Sequence, residues 1–392
     1  MKKLILAAAM LVLACSCGPK LYNVTKTYDD KHFDKLQQVI DNPTTPKDVA
    51  YSFTEASDIG LSGKMFYDTP NPYHRIDTVM YKGMTKGENY QARCSAGVTV
   101  IFKTDATSIC VKTEWGNKDY NTISTMPIAY RGYDLYIKNK KGEWTWAGSG
   151  ATRPSYNEDN VVLIKNMAPG DKECILYLPI YSEIRSCKIG VPVGSYIRRL
   201  DGQFRNKIVF HGSSFTHGIS TSRPGMSYPM QFMRHTGMQV LGFGMSGNCK
   251  MQPYFGDVLV DVDADAYVFD AFSNPDYKMI KERLQPFIDK LIAAHPGKPL
   301  IFQQTIYRES RNFNMVNDAK EQAKQDMASS LFNELLKDPK YANVYFIQTN
   351  ACEAGSHEYS VDGTHPDDHG YYLWSKSIEK PILTILAKYG IK

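Results

Sequence analysis

The sequence predicts an α/β fold: a parallel sheet with helices on both faces, preceded by an antiparallel, jelly-roll-like β-sandwich. Three observations predict it. From about Lys207 onward, short apolar runs alternate with helical patterns five times. That alternation demands crossover connections and a parallel sheet covered on both sides. From about Tyr51 to Ile197 the apolar runs are instead β-branched or aromatic, and Gly, Pro, Asn and Asp clusters separate them, as in an antiparallel sandwich. The change falls in residues 192–206, which hold Gly194, Gly202 and several charges. With 392 residues the chain is longer than one domain usually needs. The expected division is a leader over 1–17, the sandwich over 28–198 and the α/β domain over 205–392.

The leader comes first. Lys2 and Lys3 precede an uncharged apolar run over residues 4–13. The run is too short to cross a bilayer as a helix and reads as an export signal that is removed. Val12-Leu13-Ala14-Cys15 resembles the cleavage box of bacterial lipoproteins, which ends in a lipid-bearing cysteine; Cys17 fits the same role. The alternative is an ordinary secretory signal with incidental cysteines. The expectation is an exported lipoprotein of the cell envelope, with membrane contact only through that anchor.

A helix is expected near residues 30–40. Strands are expected over 97–102, 108–114, 133–138, 144–147, 161–165, 174–181 and 186–191. Val98-Thr99-Val100-Ile101-Phe102-Lys103 alternates apolar with polar, apart from Ile101. Six cysteines follow the leader, Cys94, Cys110, Cys174, Cys187, Cys249 and Cys352, without a C-x-x-C pair, so zinc is disfavoured. Cys174 and Cys187 sit on neighbouring apolar runs where a hairpin would pair them; buried free thiols are the other reading. The net charge of +5 is spread along the chain without a basic stripe, so nucleic acid is not an expected partner.

In the second half, strands are expected at 208–210, 240–243, 266–269, 299–302 and 344–347. Helices are expected at 228–235, 275–294, 315–336 and 371–388. Ile280, Leu284, Phe287, Ile288, Leu291 and Ile292 fall on one helical face. Sites on such a sheet form at the carboxyl ends of its strands, which points to the loops that follow them. The first strand runs into Gly212-Ser213-Ser214-Phe215-Thr216-His217-Gly218. There Ser214 is either an exposed hydroxyl on a tight turn or part of a plain polar turn; the G-x-S-x-G elbow is absent. The second ends in Gly244-Met245-Ser246-Gly247-Asn248, where glycine lets a backbone N–H face a cleft. Ser246 is a competing nucleophile. The third ends in Asp270-Ala271-Phe272-Ser273-Asn274-Pro275. Asn274 reads as a helix cap or as an amide donor. Finally Asp362-Gly363-Thr364-His365-Pro366 places a carboxylate within reach of an imidazole, leaving the other ring nitrogen to accept a proton.

In their order, these four blocks resemble those of the SGNH, or GDSL-like, hydrolases over about residues 207–392. Two positions depart from that pattern: Ser213 stands where an Asp usually precedes the nucleophile, and Phe272 replaces the third-block glycine. Residues 222–226 and 245–248 resemble a bacterial branch of that family carrying an N-terminal β-sandwich, and so do Pro72-Tyr73-His74-Arg75 and 142–150. The resemblance implies a flavodoxin-like sheet and a serine esterase. Ser214 would be nucleophile, His365 general base and Asp362 its partner. The oxyanion would be held by the N–H groups of Ser214 and Gly247 and the Asn274 amide. No metal or cofactor is implied, and His217, His357 and His369 read as surface or supporting residues. His74 and Arg75 read as structural. The implied substrate is a small-molecule or polysaccharide ester, above all an acetylated carbohydrate. A lipid ester of the platelet-activating-factor acetylhydrolase kind is the alternative, and an inactive glycan-binding lipoprotein the alternative of another class. Trp144 and Trp146 share a strand face, suited either to packing or to stacking on sugar rings.

Overall fold

The computed structural model describes residues 26–116, 123–152 and 160–392. Cys15 and Cys17, and the whole expected leader, lie outside the described residues. Among those described, no helix is long and apolar enough to cross a membrane. The chain divides into two compact units, residues 1–43 and 44–392. In the first, a helix Asp30–Asp41 is capped by Asp29, whose carboxylate accepts the His32 N–H at 3.0 Å.

The second unit holds two antiparallel sheets and one parallel sheet. One antiparallel sheet runs Tyr51–Glu55, Ile184–Pro192, Ile109–Trp115, Asn160–Ile164. The other runs Ile197–Arg199, Thr99–Thr104, Lys172–Tyr177, Gly132–Lys138, Trp144–Ala151, with Leu61–Ser62 added beside Thr99–Thr104. Neighbouring residues on a strand face opposite sides, and both sides of this second sheet are used. Val100, Phe102, Leu135 and Leu176 enter the core between the two antiparallel sheets. Ile101, Tyr136, Ile175 and Tyr177 face the other way and pack with Phe210, Tyr228, Met230 and Phe232 of the α/β layer. Burying each isoleucine there contributes about 2 kcal/mol. The departure from alternation at Ile101 therefore records a strand buried on both faces.

The parallel sheet has the order Met238–Gly244, Arg205–Gly212, Ala266–Asp270, Leu300–Gln303, Val344–Ile347. In the sheet's own numbering this is 2-1-3-4-5, the flavodoxin-like arrangement, with a crevice outside the carboxyl ends where the connections reverse direction. Helices Tyr228–Thr236 and Asp368–Ala387 contribute Phe232, Ile378 and Ile382 to one core; Pro253–Val260, Tyr277–Ala294 and Met315–Leu335 contribute Phe255, Leu284 and Phe332 to the other.

Several details differ from the sequence reading. The helix expected from Pro275 begins at Tyr277, because Asp276 caps it by accepting the Met279 N–H at 2.8 Å. Helices Lys86–Arg93 and Pro253–Val260 were not expected. Cys174 and Cys187 lie in different sheets and both are free thiols, so no hairpin pairs them. Burial pushes both thiols up to about 12.

Candidate active site

The crevice is built from the ends of the first three parallel strands and from the loop before the last helix. Register puts Gly212 opposite Asp270 across paired strands. After Gly212 the chain makes one helical turn, Ser214–His217, capped by Ser213. Gly212 is required by close approach: a Cβ there would lie 2.1 Å from Thr216 Oγ1 and 2.9 Å from Asp270 Oδ2. Ser214 heads the turn and is 5% exposed.

Asp270 is the residue that the sequence reading passed over. Its Oδ2 accepts the Ser213 N–H at 3.0 Å, the Ser213 hydroxyl at 2.5 Å and the Thr216 hydroxyl at 3.3 Å; the Ser273 hydroxyl donates to its other oxygen. The carboxylate is 2% exposed. Burial pushes its pKa up, and the Ser213 and Ser273 hydrogen bonds oppose that rise only in part. Ser213 thus works through Asp270 to fix the backbone immediately before Ser214. Phe272 turns away from the crevice and packs on Phe302, Phe332 and Phe346.

The fourth block arrives from a surface loop. Ser214 Oγ lies 3.0 Å from His365 Nε2, and His365 Nδ1 lies 2.8 Å from Asp362 Oδ2. The other Asp362 oxygen accepts the backbone N–H groups of Thr364 at 3.0 Å and His365 at 2.8 Å. Burial works to raise the Asp362 carboxyl, but the bonds from the His365 ring, its N–H and Thr364 together outweigh it, and the net shift is downward. The carboxylate therefore stays charged beside the imidazole.

Gly247 has φ +73°, the left-handed region, and nothing lies within 4 Å of where a Cβ would be. Asn274 is not the helix cap. Its Oδ1 accepts the Cys249 N–H at 3.1 Å, which ties the third block to the second and turns Nδ2 the other way. Among the described residues no acceptor takes the N–H of Ser214, the N–H of Gly247 or the Nδ2 of Asn274. Among the described residues Ser246 has no imidazole partner; its hydroxyl meets Tyr181 OH at 2.9 Å. Arg308, missed in the sequence, donates to the Ser273 carbonyl at 2.6 Å and lies over the Phe215 ring. A groove of about 690 Å³ opens beside Asn274, lined by Tyr277, Met315, Val316 and Lys320.

His217 is buried, stacked on Tyr181 with Nε2 2.6 Å from the Ile180 carbonyl, so it is a supporting residue and not a surface one. His357 is exposed and pairs with Glu309 at 2.6 Å; His369 is exposed. His74 bonds Glu183 at 2.8 Å. Trp144 stacks on Phe204, whereas Trp146 is 52% exposed beneath the Arg223 guanidinium. Among the described residues no group of three or more His, Cys, Asp or Glu is placed to hold a metal ion.

A covered flavodoxin-like sheet with a hydroxyl, an imidazole and a carboxylate linked at its carboxyl edge defines an α/β ester hydrolase. Comparison with known proteins makes this specific. The profile of the GDSL-like lipase/acylhydrolase family matches residues 205–383. That of the N-terminus of SGNH-hydrolase-type esterases matches 51–197. A Bacteroides ovatus protein assigned as a GDSL-like lipase is 35% identical, with 86% of this chain and 98% of that one covered and a TM-score of 0.81. The chain belongs to the GDSL-like lipase/acylhydrolase, or SGNH hydrolase, family. A salicylyl-acyltransferase from a tetracycline biosynthetic pathway shares the fold at 17% identity, covering 88% of this chain and 98% of its own, with a TM-score of 0.65. A family two carbohydrate esterase from Clostridium thermocellum, in complex with cellohexaose, does so at 13% identity, covering 75% and 93%, with a TM-score of 0.52. No match to the chain was found among curated proteins.

Proposed function

We propose that this acylhydrolase is a serine esterase that removes short acyl groups, acetyl above all, from carbohydrate. The observation that carries the reading is the continuous chain from Ser214 Oγ through His365 to Asp362, at 3.0 and 2.8 Å; the N–H groups of Ser214, Gly247 and Asn274 Nδ2, which take no acceptor among the described residues, support it. Ser214 Oγ attacks the ester carbonyl carbon while His365 Nε2 takes the hydroxyl proton. Asp362 holds the ring with Nδ1–H donating and stabilises the imidazolium that forms. The charge on the carbonyl oxygen falls to Ser214 N–H, Gly247 N–H and Asn274 Nδ2. His365 then returns the proton to the leaving alcohol, and water hydrolyses the acyl-serine by the same steps. Carbohydrate is favoured because carbohydrate esterases share this two-part architecture and because an exported enzyme meets polysaccharide. We place the protein in the cell envelope, held by lipid on Cys15 or Cys17.

The test is acetate release by the purified chain from acetylated oligosaccharides, set against short-chain lipid esters, with Ser214→Ala as control. Ser214-dependent release from the sugars alone is expected. Preference for lipid esters would replace the substrate assignment, and glycan binding without release would replace the enzyme reading.

A further inference from the structure

The loop that presents Gly247 is not held by the α/β layer alone. Helix Lys86–Arg93, which comes from the sandwich half of the chain, lies against it. Gln91, 7% exposed, brackets Ser246 from both sides. Its Oε1 accepts the Ser246 N–H at 2.5 Å and its Nε2 donates to the Ser246 carbonyl at 2.9 Å. The side-chain amide thereby occupies the place a neighbouring strand would take, and the peptide that it fixes is the one whose nitrogen is Gly247 N. One turn earlier, Glu88 Oε1 accepts from Tyr254 OH at 2.9 Å and Gln252 Nε2 at 3.3 Å, and Gln252 also donates to the Asn248 carbonyl at 2.5 Å. The helix grips the loop at both ends.

The grip is itself anchored. Buried Arg75 donates to the Gln91 carbonyl at 2.6 Å and to the carbonyls of Gly242 and Gly244 at 3.2 and 3.1 Å. The same guanidinium thus joins the helix to the strand that leads into the loop. The helix start is fixed by a capping box, Thr85 with Glu88.

We infer that Gln91 is a positioning residue for the esterase reaction: it fixes the Ser246–Gly247 peptide so that the Gly247 N–H meets the oxyanion. This rests on the reading of Gly247 given above. It also makes the sandwich half a working part of the site rather than an appended module. A flexible amide reaches its acceptor only in part of its conformers, whereas one held by two hydrogen bonds costs no reorganisation at the moment of reaction.

The experiment uses the full chain with Gln91→Leu and Gln91→Glu, and Tyr181→Phe as a comparison that leaves the backbone bracket intact. With a chromogenic acetyl ester, Gln91→Leu is expected to lower kcat about 10²-fold while KM stays within about threefold. Gln91→Glu keeps the acceptor for Ser246 N–H and should recover about half of that loss on a logarithmic scale. Tyr181→Phe should stay within about threefold. Amide hydrogen exchange over residues 245–248 should rise at least about tenfold in Gln91→Leu, with residues 212–217 unchanged. A folded Gln91→Leu protein with parental kcat, or with its loss carried wholly by KM, overturns the inference, as does unchanged exchange. Should Gln91→Leu fail to fold, Gln91→Glu carries the same test. Ser214→Ala run alongside separates the two readings. If it keeps the parental rate, the Ser214 assignment fails while exchange still decides the bracket. If it is inert and Gln91→Leu turns over normally, only the bracket fails.

Discussion

The two ends of the Ser214–His365–Asp362 chain are held in opposite ways. Ser214 stands on a turn whose side chains are buried, fixed from below by a carboxylate with 2% exposure, Asp270. His365 and Asp362 stand on a surface loop, with side chains 18% and 39% exposed. That loop is fixed by backbone bonds, one within it and one from a distant segment: Val361 N–H to the His365 carbonyl at 2.8 Å, and Ser310 N–H to the Gly363 carbonyl at 2.7 Å. The two aspartates follow suit. Burial raises Asp270, whereas hydrogen bonds from His365 and Thr364 overcome burial and lower Asp362. A nucleophile can be positioned by the core because it moves little. A base that shuttles protons needs a charged partner, and a carboxylate near water is charged at smaller cost.

Ser214→Ala should lower kcat by at least about 10⁴-fold and leave the unfolding midpoint almost unchanged, since its hydroxyl has one side-chain partner, His365. Asp362→Asn should cost about 10³- to 10⁴-fold in kcat by favouring the wrong tautomer of His365, again without a large loss of stability. Asn274→Ala should cost about 10²- to 10³-fold in kcat. Its stability loss should be only about 1 kcal/mol, from the Cys249 N–H bond, because Asp276 and not Asn274 caps the helix. Asp270→Ala reverses the pattern. It takes the acceptor away from the Ser213 N–H and from three buried hydroxyls, Ser213, Thr216 and Ser273, so a loss of about 2–4 kcal/mol is expected in denaturant unfolding, together with a fall in rate.

The smallest effect is on pH dependence and separates the two aspartates by sign. The folded value of Asp362 lies below its ordinary 3.8. Its contribution to stability is therefore full above about pH 4 and lost as pH falls through the lowered value. The gap between the parent and Asp362→Asn should close in acid. Asp270 lies above 3.8 when folded. Its contribution is full below about pH 4 and lost as pH rises through the raised value, so the gap to Asp270→Asn should shrink on the alkaline side. Urea midpoints from pH 3 to 8 read both.

Much of this was legible in the sequence because the signals are local. Five apolar runs interleaved with four helical patterns point to the parallel layer, and Asp362-x-x-His365 carries its pairing within one loop. Asp270 was not legible, although the segment was read, because its role depends on a register that sets it opposite Gly212. Ser213, which looked like a departure from the family pattern, is its partner. The helix carrying Gln91 was missed despite a capping-box signal at Thr85 and Glu88, since it interrupts a stretch read as strands. Its contacts lie 155 residues away in the chain. Asn274 was assigned two roles from one residue type, and only the tertiary contact with Cys249 separates them. Of the two readings of Cys174 and Cys187, the buried free thiols hold and the hairpin pairing does not, because strand order, not spacing, puts them on different sheets.

The proposal makes Ser214, and not Ser246, the nucleophile, activated by His365. Mass spectrometry of the chain after reaction with a fluorophosphonate ester distinguishes the two serines. A single phosphonyl group on Ser214 is expected, lost in Ser214→Ala and formed at least about 10³-fold more slowly in His365→Ala. A label on Ser246, or Ser214 left unlabelled while ester hydrolysis is blocked, would contradict it.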